Sequence, residues 1–183
     1  MIALKEATEV VKIIAFSTLV AIAYGLIHDQ VTAHLCVEYF SVAHPPVFDT
    51  TSPFLLALGW GVIATWWVGL PLGVGLAAAA RIGPSPRLGL AEVRPTIIKL
   101  MIVSALAAVI SGAVGAYLVA IGRAPVPGGW GDVIPPAKHA AFSFDAWAHL
   151  ASYGVGIVGG LFVIGYTIWC RVRGWLKART ASA

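Results

Sequence analysis

The chain has 183 residues, of which 59% are hydrophobic and 11% charged, with a formal net charge of +4. Soluble domains carry roughly a quarter charged residues, so this composition excludes an ordinary soluble domain, and a mean hydropathy of +0.88 points to a membrane protein. The basic excess does not indicate a nucleic-acid partner, because the lysines and arginines stand at the ends of apolar runs, where they act as topology signals.

Four apolar runs predict four spans in a single transmembrane domain, at about 10–27, 54–80, 96–122 and 146–170. A hydrocarbon core of ~30 Å needs about 20 helical residues, which the first run barely supplies. Lys5, Lys12, the apolar run from Ile13 and Ala21-Ile22-Ala23 share features with a cleavable signal peptide; the expectation is an uncleaved first span. Between Ile2 and Ala43 there is no proline, and Gly25 is the one glycine. Helix is therefore predicted to extend past Ile27 to about residue 43, before Pro45 and Pro46 end it.

Lysine and arginine bias sets the predicted orientation. Lys5, Lys12, Arg81, Arg87, Arg94, Lys99, Arg171, Arg173, Lys177 and Arg179 fall on one side, and Arg123 and Lys138 on the other. The rule that cytoplasmic flanks are positive then places both termini inside. The expected fold is all-α: a four-helix transmembrane bundle with both termini cytoplasmic and two irregular outward-facing loops, at 41–53 and 123–144. All five histidines lie on the outward half, as do Asp29, Glu38, Asp49, Asp132 and Asp145. Chemistry, on this topology, faces out.

The second and third spans read as scaffold. Gly69 and Gly73 flank Pro71, which predicts a kink packed against a neighbour. Ser104, Ala108, Ser111 and Gly115 form a small-residue stripe that lets helices approach closely. Such faces also suit a homo-oligomer or a larger membrane complex within the lipid bilayer. No internal repeat is visible.

Between residues 28 and 44 the chain packs three of its five histidines and two of its eight acids. Ionisable groups are costly in a membrane and mark functional sites. His34 and Glu38 are four apart, as are Asp145 and His149 at the start of the fourth span. On continuous helices each pair shares a face. The two helices are predicted to converge on one ion, with His34, Glu38, Asp145 and His149 as ligands and His28 as a fifth ligand or general base. Asp29 is predicted to point away from that face. Ser152, Tyr153, Gly156, Gly159 and Gly160 continue the polar and small face of the fourth span.

Imidazole with carboxylate suits zinc, iron or manganese, and the scarcity of Met and Cys argues against Cu(I). A metal with an open position can lower the pKa of its bound water to about 7, which suits hydrolysis or hydration. Iron would suit redox chemistry on a lipid-soluble substrate. Haem- or quinone-linked electron transfer is an alternative, with His28 and His149 as axial haem ligands. Another is a non-catalytic accessory subunit in which the same groups form a polar network. A carrier is disfavoured by the expected lack of broken helices near the midplane. His44 and His139 read as loop residues, Tyr39 and Tyr153 as donors orienting ligands or as interface aromatics, and Cys36 as a small buried apolar residue. Cys36 and Cys170 lie near the ends of different spans, so no disulfide is expected.

His28-Asp29-Gln30, Cys36-Val37-Glu38-Tyr39-Phe40, His44-Pro45 and Asp145-x-Trp147-Ala148-His149 together resemble an uncharacterised family of small bacterial four-span membrane proteins, over most of the chain. The resemblance implies a bacterial origin, and with it the inner membrane, and carries no mechanism.

Overall fold

The structure is a computed structural model that describes residues 2–83 and 86–181. Among these residues the regular structure is entirely helical. α1 spans Ile2–Leu35, α2 Val37–Ser41, α3 Pro53–Ile63, α4 Trp66–Arg81, α5 Leu90–Ala120 and α6 His139–Ala181, with short 3₁₀ turns at Pro127–Asp132 and Pro136–Lys138. Four segments are long and apolar enough to cross a membrane: Leu4–Leu35, Pro53–Arg81, Leu90–Ala120 and Pro136–Thr180. α5 packs along α6, and α1 packs along α3 and α4.

Two helix interruptions differ from expectation. The predicted continuous helix to residue 43 breaks at Cys36, whose φ of −147° and ψ of 88° are extended, and α2 is a separate helix of 5 residues. In the second apolar segment, α4 runs through Pro71, and the interruption falls instead at Ala64 and Thr65. Backbone groups freed by such a break need partners where water is scarce. Thr65 Oγ1 donates to the Gly61 carbonyl at 2.5 Å, and the Tyr153 hydroxyl donates to the Ala64 carbonyl at 3.1 Å. A broken helix is thus present, but the carbonyls beside the break are already bonded.

Small residues set the helix spacing. Gly69 and Gly73 lie against Ser17 and its neighbours on α1, and Gly112 and Gly115 lie under the Phe144 and Trp147 side chains of α6. The buried stripe on α5 is Ser104, Ala108, Gly112 and Gly115. It shares all but Ser111 with the predicted stripe, and it is used within the chain.

The two ends of the bundle are built differently. At the end holding both termini, Ile13, Leu76, Ala77, Ala80, Val93, Ile97 and Val163 form an apolar core. Glu6 there accepts from Arg81 at 2.5 Å and pairs with Arg87 at 3.2 Å. Arg171 Nη1 donates to the carbonyls of Ala79 and Ile82, and its Nε to that of Pro86. At the other end, Asp29, Thr32, Ser143, Asp145 and His149 are buried beside two smaller apolar clusters. The site is there.

Candidate metal centre

The buried face of α1 toward its loop end is Gly25, Asp29, Thr32, Ala33 and Cys36, a run of helical spacing. Asp29 is 4% exposed. Its neighbour His28 lies about 100° around the helix, on the flank that faces α6. This corrects the expectation that Asp29 points away: both side chains line one cleft between α1, α4, α5 and α6. His28, Asp29 and His149 each bring a ligand atom within 4.8 Å of the others.

His149 is held in a defined tautomer. Its Nδ1 lies 2.7 Å from the Asp145 carbonyl oxygen, which can only accept, so Nδ1 carries hydrogen. In the neutral ring Nε2 is then a bare lone pair, and it faces Asp29 Oδ1 at 3.3 Å. Two acceptors at that distance repel unless a cation lies between them. Either a proton, carried on Nε2 or on the Asp29 carboxyl, or a metal ion meets the need. His28 adds a further demand, since its Nε2 is buried with no protein hydrogen-bond partner. Both carboxylate oxygens of Asp145 are likewise buried without one. Two acids, Asp29 and Asp145, are thus enclosed with no lysine or arginine bonded to either.

Of the predicted ligands, the structure brings together His28 and His149 and keeps Asp145 one helical turn from His149, holding it through the backbone. It does not bring in His34 or Glu38. The interruption at Cys36 removes the shared helical face those two needed. His34 is exposed, with Nδ1 donating to the Gln30 carbonyl at 2.7 Å. Glu38 turns toward Lys138 at 3.8 Å and accepts from the Cys36 thiol at 3.3 Å. Cys36 is fully buried, and burial, the Glu38 hydrogen bond and the Asp145 charge push its thiol up to about 12.

Around the cluster, Tyr24 stacks on His28 with ring centroids 5.6 Å apart and hydrogen-bonds Ser152 at 2.7 Å. The His28 and His149 rings meet edge to face at 4.6 Å. Tyr39 and Phe40 from α2 roof the site, at 4.6 Å and 5.6 Å from the His149 ring. His139 donates to the Ile134 carbonyl and stands apart from the cluster.

His44 supports that roof. Its Nδ1 donates to the Tyr39 carbonyl at 2.7 Å, and its ring packs on Trp60 at 4.8 Å. Burial pushes its imidazole below the ordinary 6.5. The unfolded chain therefore takes this proton at a higher pH than the folded one, and stability falls as pH drops below about 6.5. The thermal midpoint is expected to decrease between about pH 7.5 and pH 5. His44→Phe should shrink that decrease, and an unchanged pH difference in the variant would count against this role.

No family model, curated protein or solved structure matches the chain. The site has to be interpreted from its own chemistry.

Proposed function

We propose that this chain is a multi-pass membrane protein that holds a divalent transition metal at His28, Asp29 and His149 on the outward side of the bilayer and uses it catalytically. The observation that carries the proposal is the His149 Nε2 facing Asp29 Oδ1 at 3.3 Å, with the unpartnered Nε2 of His28 beside them. A divalent ion satisfies all three ligands and offsets buried negative charge, whereas a proton on His149 serves one pair alone. Two imidazoles and a carboxylate form the ligand set of hydrolytic zinc sites and of non-haem iron sites with open positions. The same set accepts manganese. The outward orientation rests on the lysine and arginine bias, which also places both termini in the cytoplasm.

When bound, such an ion supplies an activated water or an open site for a substrate oxygen. The chain's own residues then have distinct tasks. The Asp145 carbonyl fixes the His149 tautomer, which leaves Nε2 as the nitrogen that would hold an ion. Hydrogen-bonded carbonyl partners of this kind tune ligating histidines. Tyr39 and Phe40 exclude bulk water. The cavity beside the cluster has a volume of about 60 Å³, which suits an ion with one or two waters better than a macrocycle such as haem.

Metal content of detergent-purified protein tests this. Wild type supplied with zinc, iron and manganese is expected to retain about one ion per chain, as the one three-ligand group among the described residues requires. His34→Ala should match it. Asp29→Asn should bind at least roughly tenfold more weakly, since even outer-shell partners cost that much. A wild type that binds no metal overturns the proposal and leaves a hydrogen-bonded polar network in its place.

A further inference from the structure

The candidate metal centre is covered on the loop side and bordered by an apolar groove on the bundle's outer face. Tyr39, Phe40 and Phe142 pack over it on the loop side, with Phe40 and Phe142 only 2% and 1% exposed. The cavity at the cluster is small, with a volume of about 60 Å³. A second hollow lies between α1 and α5, with a volume of about 480 Å³. That is within the range of roughly 300–1,000 Å³ for small-molecule sites. Ile27 and Val31 from α1 and Ile98, Ile102 and Val109 from α5 line it, all exposed on the bundle's outer face. Tyr24 and His28 line both this groove and the inner cavity. His28, whose buried Nε2 has no protein partner, thus stands in the wall between the groove and the inner cavity.

We infer that the groove between α1 and α5 admits a single-chain lipid from the bilayer, its apolar chain lying along the isoleucines and valines and its polar head reaching His28. The inference takes its substrate class from the metal reading above, but the groove is tested separately. Three features select this occupant. The polar side chains in the lining, Tyr24, His28 and Thr32, all come from α1 and leave the α5 wall apolar. No lysine, arginine, aspartate or glutamate lines the groove, so a charged soluble substrate finds no partner. The aromatic roof blocks the alternative route from the loops. An amphiphile with a short polar head fits this division; a second copy of the chain would present a helix to the groove and leave His28 unserved.

The probe is a fatty acid bearing a mid-chain diazirine, photolysed with wild-type protein in phospholipid nanodiscs and mapped by mass spectrometry. Insertion is expected to be several-fold higher at Ile98, Ile102 and Val31 than at Val158 and Phe162, which are also exposed on α6. Ala105→Trp, a change at an exposed groove position, should remove the enrichment and leave metal content unchanged. Enrichment in a protein without metal upholds the groove and overturns only the metal reading. Stoichiometric metal with even labelling across α1, α5 and α6 overturns the groove. Efficient disulfide cross-linking of two Ile102→Cys chains without groove labelling also overturns it, in favour of a second copy.

Discussion

His149→Ala is expected to leave the protein without bound metal and to loosen the roof above the site. The side chain is the point where five interactions meet: Nδ1 on the Asp145 carbonyl, Nε2 toward Asp29, and ring contacts with His28, Tyr39 and Phe40. Losing a direct ligand should cost more than the roughly 100-fold upper range found for outer-shell partners. Removing a buried ring also leaves a cavity beneath Tyr39 and Phe40, which should cost about 2–3 kcal/mol, below the range for larger aromatic truncations. Zinc titration and thermal unfolding of the variant check the two effects independently. A variant that binds zinc as tightly as wild type would remove His149 from the ligand set.

Gly61→Ala is expected to give the largest loss of stability away from the ligands. A Cβ at Gly61 would stand 2.8 Å from both the Cα and the N of Leu26, and 3.0 Å from the carbonyl carbon of Gly25. These are backbone atoms, so no side chain can swing aside. α1 must move away from α3 at the level where Gly25, Asp29 and the break at Ala64 and Thr65 meet. Overpacking of this kind costs about 1–3 kcal/mol, and the displacement should weaken metal binding as well by shifting Asp29 against His149. Gly165→Ala is the control, because an added Cβ there meets nothing within 4 Å. It should be neutral or gain up to about 1 kcal/mol from helix propensity. Equal stability of the two variants in a denaturation assay would contradict the close approach of α1 and α3.

Most of the architecture was legible because it follows from quantities that sequence carries directly. Apolar length gives the four long segments, and glycine spacing gives the contacts at Gly69, Gly73 and Gly115. The polar loop end was legible too, since His28, Asp29, Asp145 and His149 are conspicuous in so apolar a chain. Which of them converge depended on two local events without a proline or glycine to announce them. Cys36 departs from helical geometry with no proline or glycine within ten residues before it, and this separates His34 from Glu38. The interruption at Ala64 and Thr65 is stabilised by Tyr153, 89 residues away in sequence, a tertiary cause that local pattern does not encode. Asp29 was within reach. Gly25, Asp29, Thr32 and Cys36 recur at spacings of four, three and four, the buried stripe of α1, and weighing that stripe above the i, i+4 pairing of His34 with Glu38 would have placed Asp29 inside.

The central claim is that an ion, rather than a proton, joins His149 to Asp29 and His28. X-ray absorption spectroscopy of purified, metal-supplied protein addresses it most directly. The account predicts one transition metal per chain with nitrogen and oxygen neighbours at about 2.0–2.2 Å, the distances of imidazole and carboxylate ligands to zinc, and with outer-shell scattering from two imidazole rings. A sulfur neighbour at about 2.3 Å, or no bound metal at all, would contradict it.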